Sequence, residues 1–263
     1  MESLLARAHL IYSVAKMQLL TSIHNIEDFY QLIAIPLVGL APIAIFVHTG
    51  RADLVGYAFV GIVTMTIGQM GLFTGSETIA ADKRLHLVEL IVGSPTSYFV
   101  LIVIRGLVFS ALGSLSILIG WVFIRFFFHT PFIVYHPFVM YGAILLTVVA
   151  VGALSTVTAA LFSLAKNVRT LQASINGPLY LISGVLVPVT YLPSWLQLFS
   201  PFAFFYWSAS LIRDSLSPTQ PDSILYRYTL IAISALVLFA IGYLLLHRMI
   251  NILRREGTLG LVE

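Results

Sequence analysis

Cysteine is absent from all 263 residues, which excludes disulfides, thiolate metal sites and a cysteine nucleophile. Charge is nearly as scarce. Asp, Glu, Lys and Arg make up 10% of the chain, against roughly 25% in soluble domains. The three lysines, Lys16, Lys83 and Lys166, follow Ala15, Asp82 and Ala165, so no Gly-Lys-Ser/Thr phosphate loop can be assembled. No H-E-x-x-H zinc motif and no G-x-S-x-G elbow occur. The histidines (His9, His24, His48, His86, His129, His136 and His247) are scattered over different loops. No row of intramembrane carboxylates suggests a proton relay, and no internal repeat suggests an inverted-repeat transporter. Catalysis by this chain is therefore unsupported, and any ATP it depends on must be bound by another chain.

What the chain has in abundance is apolar length. Hydrophobic residues reach 59%, with 18 Phe and 12 Tyr, and the mean hydropathy is +0.98. The formal charge of +3 could suggest nucleic acid. The basic residues, however, sit in short loops between apolar runs, which is the pattern of membrane topology. Residues 29–50, 54–76, 106–124, 126–165, 170–212 and 228–247 contain no Asp, Glu, Lys or Arg. A span needs about 20 apolar residues. The third span is expected to start near Tyr98 and pass over Arg105, and the fourth near Phe138.

Window 170–212 is too long for one span and is interrupted by Gly184, Pro188, Pro193 and Pro201. Counting it as one crossing gives six spans with both termini on one side. Arg7, Lys16, Lys83, Arg84, Lys166, Arg169, Arg248, Arg254 and Arg255 then share that side, and Arg51, Arg125, Arg213 and Arg227 face the other. The bias predicts cytoplasmic termini. It also makes 184–210 one re-entrant hairpin on the outer side, since broken backbone at that depth must be sheltered by protein or a cavity.

Three local readings complete the picture. Residues 1–25 are broken by Arg7, His9 and Lys16, and Leu4, Ala8, Ile11, Ala15 and Leu19 recur at helical spacing. This predicts an amphipathic helix lying in the membrane interface rather than a cleaved signal. Arg105 reads as an arginine snorkelling to the headgroups, with an inward-facing charge paired to Glu77 as the alternative. Residues 75–97 read as a cytoplasmic loop carrying a short amphipathic helix ended by Gly93, Ser94 and Pro95, suited to a protein partner's groove.

Two stretches resemble the permease subunits of type-2 ABC exporters. The first is DKRLHLVELIVGSP, residues 82–95. The family shows a charged run, Gly-Thr-Leu-Glu, apolar residues and Ser-Pro. Glu89 and Ser94–Pro95 match, while His86–Leu87 replaces Gly-Thr. The second is residues 183–216. Ser183–Gly184, Pro188, Leu192–Pro193, Trp195–Leu196, Pro201 and Arg213 follow the family order. REGTL at 255–259 is treated as a coincidental copy of the loop motif.

The resemblance implies one all-α transmembrane permease domain over 1–263: six membrane helices, an N-terminal interfacial helix (1–25), a coupling-helix loop (77–95) and the hairpin (184–210). It implies a bacterial inner membrane, two separate ATPase subunits that bind ATP and Mg, a second permease subunit, identical or homologous, surrounding lipid, and no cofactor in this chain. Asp82, Lys83, Arg84, Leu85, Val88, Glu89 and Pro95 would couple to the ATPase. Gly184, Pro188, Leu192, Pro193, Trp195 and Pro201 would form the exit gate, and Tyr180, Tyr191, Phe205 and Tyr206 a substrate path. The cargo class is drug, lipid or lipid-linked glycan. A non-transport membrane enzyme or assembly factor, or an ion-coupled transporter, is the alternative.

Overall fold

The computed structural model describes residues 2–24, 26–51, 54–84, 97–128, 133–162 and 168–256. These form α1 (Glu2–His24), α2 (Ile26–His48), α3 (Val55–Arg84), α4 (Tyr98–Gly113), α5 (Ser116–Phe127), α6 (Pro137–Phe162), α7 (Val168–Ile182), α8 (Phe204–Ser215) and α9 (Ile224–Glu256). Three single turns, Val189–Tyr191, Ser194–Gln197 and Ser200–Phe202, lie between α7 and α8. Among the described residues there is no strand.

Among the described residues five stretches are long and apolar enough to cross a membrane: Tyr30–His48, Val55–Leu72, Tyr98–Phe127, Pro137–Phe162 and Ile224–Asn251. They agree with five of the six windows. The sixth window is not among them, because Gly184 stops the helix. At 15 residues α7 is roughly 22 Å long at 1.5 Å per residue, short of the ~30 Å hydrocarbon core.

Burial decides which helices are central. In α3 72% of the span is buried and in α6 61%, against 11% for α2 and 22% for α9. Lipid tails are as apolar as leucine, so such helices associate by close packing of small residues and by buried polar contacts. The α4–α6 crossing shows this. A Cβ on Gly106 would lie 1.9 Å from Ser155 Oγ, and one on Gly152 would lie 2.7 Å from Leu107 Cδ2. Ser110 Oγ donates to Gly106 O at 2.7 Å within α4 and sits 3.1 Å from Val148 O across the crossing. α9 lies on α6 in the same way, with Gly242 facing Thr156.

The structure revises several sequence expectations. Arg105 is 7% exposed, so it faces the protein and does not snorkel. The third span breaks at Ser114–Leu115, where Leu115 N bonds Leu112 O and Ile117 N bonds Ser114 O, the tighter i→i−3 pattern. The stretch 77–84, expected within a loop, continues the α3 helix. In α1 the buried edge is polar, Gln18 and Ser22, while Ile11, Tyr12, Leu19 and Leu20 are exposed. Ile11 and Leu19 of the expected stripe thus point away from the bundle, which is compatible with a helix lying in the interface and is no correction to it; the side chains of Leu4 and Ala8 lie outside the described residues.

α4 also approaches α3 too closely for any side chain at Gly113, where a Cβ would meet Ile67 Cα at 2.8 Å and Thr66 O at 2.9 Å. Backbone cannot yield as a flexible side chain can. Gly113→Ala should lower stability by about 1–3 kcal/mol, the cost of overpacking. Gly177→Ala, with open space at its Cβ, should be neutral or stabilising by up to about 1 kcal/mol. Thermal unfolding of the purified variants in detergent checks both; equal losses would show that the α3–α4 contact is not limiting.

Candidate functional site at the mouth of the bundle

One end of the bundle gathers several connections. The amides of Tyr135 and His136 both donate to Ser215 O at 3.0 Å, and His136 Nε2 lies 3.2 Å from Thr219 O. A Cβ on Gly56, near the start of α3, would lie 3.6 Å from Leu216 Cδ1. At the opposite end Tyr98, Leu101 and Ile102 of α4, Ala159 and Ala160 of α6, and Leu246 and Met249 of α9 form a second core, against which Val14 of α1 packs. The N-terminal helix and the tail of the last helix therefore share an end.

α7 reaches the mouth and stops there for a local reason. Gly184 adopts φ +67°, open to glycine and strained for other residues. Val185 N bonds Tyr180 O at 3.1 Å and Gly184 N bonds Leu181 O at 3.0 Å, the Schellman pattern of a helix C-terminus. α2 ends at Gly50 by the same device, with Arg51 N bonded to Phe46 O and Gly50 N to Val47 O.

The Gly184 carbonyl is gripped from two other helices. Tyr57 Oη of α3 donates to it at 2.5 Å, and Arg213 Nη2 of α8 donates at 2.6 Å. The same guanidinium lies over the Tyr57 ring, its Cζ 3.8 Å from the centroid. A charged hydrogen bond contributes about 1.5–3 kcal/mol, and a cation–π contact about 0.5–2 kcal/mol. Burial pushes the Arg213 guanidinium below the usual arginine range, and neighbouring Tyr57, Asp214 and Tyr206 oppose that shift. The next residue, Asp214, faces another way. It pairs with Arg227 at the start of α9, and Arg227 Nη1 also donates to Ser210 Oγ at 3.1 Å.

Between α7 and α8 the chain satisfies its broken backbone internally. Ser200 Oγ donates to Ile182 O at 2.7 Å, Gln197 Nε2 to Leu192 O at 2.7 Å, and Trp207 Nε1 to Pro201 O at 2.8 Å. Pro188 and Pro193 each immediately precede a single helical turn, and Pro201 lies inside the third; their fixed φ suits such starts. Below the hairpin Tyr180 and Phe205 pack with ring centroids 5.3 Å apart. Gly68 of α3 makes room for both: a Cβ there would lie 2.3 Å from Tyr180 Oη and 2.9 Å from Phe205 Cζ. Gly61, two turns nearer the mouth, admits Val185 O, which would stand 3.0 Å from a Cβ.

A family model described as ABC-2 type transporter matches residues 11–216. The match runs from α1 to the residue after α8 and takes in the whole mouth. The chain belongs to the ABC-2 type transporter family. It is a multi-pass membrane component of a transporter and not itself an enzyme. No curated protein matches the chain.

Within this ABC-2 protein the residues singled out from sequence separate into three groups. Gly184, Pro188, Leu192, Pro193, Trp195 and Pro201 lie in the irregular stretch between α7 and α8, with Leu192 buried and Trp195 exposed. Tyr180 and Phe205 are inside the core, Tyr206 is half-buried against Trp207, and Tyr191 stands 79% exposed on the hairpin. Asp82, Lys83 and Arg84 occupy the last turn of α3, whereas Leu85, Val88, Glu89 and Pro95 lie outside the described residues. The sequence reading did not single out Tyr57, Gly61, Gly68, Ser200 or the Asp214–Arg227 pair. Gly61 and Gly68 share a helical face at i, i+7 spacing, a signal available in the sequence; the Tyr57–Gly184 contact, 127 residues apart, leaves none.

Gly184→Ala should therefore cost about 1–3 kcal/mol through backbone strain, compounded by the clash of a Cβ with Val189 Cγ2 at 2.4 Å. Tyr57→Phe, which keeps the stacked ring and removes one donor, should cost about 0.5–1.5 kcal/mol. Thermal midpoints with limited proteolysis of the hairpin provide the check; an unaltered cleavage rate in Gly184→Ala would deny that this turn orders the hairpin.

Proposed function

We propose that the chain is the transmembrane subunit of an ATP-driven exporter that moves a hydrophobic or amphipathic substrate, a drug, lipid or lipid-linked glycan, out of the cytoplasm or inner leaflet. The family match over residues 11–216 carries this reading. Two permease subunits, identical or homologous, would enclose the pathway, and two ATPase subunits would bind ATP and Mg beneath them. In a bacterial inner membrane, the end holding α1 and the tail of α9 would be cytoplasmic, with α1 lying in the interface. This is supported by the basic residues near that end, from Arg7 and Lys16 to Arg248 and Arg254. α7 would then be the sixth crossing, completed by the hairpin at the outer face.

The geometry of α3 supports a coupling route. It is one helix of 30 residues, about 45 Å long at 1.5 Å per residue. Its far end carries Asp82, Lys83 and Arg84, and its near end holds Tyr57, Gly61 and Gly68 against the hairpin unit. A push delivered through 82–95 by a closing ATPase dimer would travel along this rod to the Gly184 carbonyl. The exposed rim of Tyr191, Trp195, Leu198 and Phe202 would meet or seal the departing cargo, with Tyr180, Phe205 and Tyr206 behind it.

The test is copurification with an ATPase subunit followed by substrate-stimulated ATP hydrolysis in proteoliposomes, screened across drugs, lipids and lipid-linked glycans. Stable association and stimulation by one class are expected; a chain that never associates with an ATPase sinks the proposal. Glu89→Lys, or a charge reversal at Lys83 and Arg84, should abolish stimulation while leaving the thermal unfolding midpoint close to that of wild type. Unchanged stimulated hydrolysis would remove these residues from the coupling role.

A further inference from the structure

We propose that the mouth of the bundle binds an anionic phosphate group at Arg213. A cavity of about 350 Å³ opens beside this residue, lined also by Leu54, Gly56, Tyr57, Leu216 and Ser217. Arg213 is the charged member of that lining. Its partners, the Gly184 carbonyl and the Tyr57 ring, are both formally neutral. The adjacent carboxylate, Asp214, is committed to Arg227. Asp214 favours the Arg213 charge only from a distance, and no carboxylate among the described residues forms an ion pair with it, so the charge of this largely enclosed cation is only partly compensated.

Donor capacity points the same way. A guanidinium carries five N–H groups. Arg213 uses Nη2 toward Gly184, while its enclosed Nε has no acceptor among the described residues. A buried donor left unpaired calls for an explanation. Phosphate oxygens match the guanidinium fork far better than a single carbonyl does. The stacked Tyr57 ring holds that fork in place without consuming charge. Leu54 and Leu216 offer apolar wall for the carbons of an ester. Ser217, tied to Thr219 Oγ1 at 2.7 Å, marks the polar rim. The ligand chemistry is thus an anionic phosphate, either the headgroup of a membrane lipid or a soluble phosphate. The outward orientation proposed above matters only for which leaflet would supply the lipid.

Purified full-length protein in nonionic detergent is titrated with short-chain phosphatidylglycerol, short-chain phosphatidylcholine and inorganic phosphate, reading the thermal midpoint. Phosphatidylglycerol should raise the midpoint saturably and phosphatidylcholine much less. Inorganic phosphate reproducing the shift would assign the source to a soluble anion; a shift with phosphatidylglycerol alone would assign it to a lipid headgroup. Arg213→Gln should weaken the response at least tenfold. Because that variant also loses the Gly184 contact, Ser217→Glu is measured beside it. It keeps Arg213 and places a carboxylate at the rim, and it too should weaken binding at least tenfold. No shift with either anionic phosphate source, or a Ser217→Glu response equal to wild type, overturns the site. No ATPase takes part, so the result stands apart from the export reading.

Discussion

The carbonyl of Gly184 ties three helices at one point. It belongs to the end of α7, and it accepts from Tyr57 of α3 and Arg213 of α8. A helix that stops within a membrane protein leaves carbonyls without partners, and each costs free energy unless protein supplies a donor. Here the Schellman bonds serve Tyr180 and Leu181, Ser200 serves Ile182, and the Tyr57–Arg213 pair serves Gly184. These bonds serve four of the carbonyls at the end of α7 and support the irregular chain from 185 to 203.

The grip works only because α3 can be approached closely. Gly61 and Gly68 remove the side chains that would hold the hairpin unit away. The helix packed by them is the most buried of the spans, so the mouth is built on the part of the molecule least able to yield. Close approach through glycine, serine and threonine recurs at α3–α4, α4–α6 and α6–α9. In surroundings as apolar as the side chains, such packing supplies the association that hydrophobic burial supplies in water.

Much of the span layout was legible in the charge-free windows, because a charge inside a span is costly and its absence is therefore informative. The interruption of the fifth window was legible in the order of Gly184, Pro188, Pro193 and Pro201, residues that constrain backbone wherever they occur. Arg105 was misread: a sequence shows depth along a span but not which way a side chain faces. The break at Ser114–Leu115 was hidden because neither residue is a strong helix breaker, and the crowding of Gly113 against Ile67 that accompanies it is tertiary. The continuation of α3 through Arg84 was missed since a run of charges looks like a loop when only hydropathy is weighed.

By itself the sequence determined that this is a helical membrane protein with a Gly/Pro-interrupted penultimate segment, and it carried the family resemblance. Those properties follow from composition, period and local backbone preference, each contained within a few neighbouring residues. Only the tertiary structure decided that Tyr57 and Arg213 converge on Gly184, that Asp214 turns instead to Arg227, and that Tyr180 and Phe205 are core while Tyr191 is surface. These are choices among partners far apart in the chain. They are settled by which helices cross and at what depth, and no local pattern encodes that.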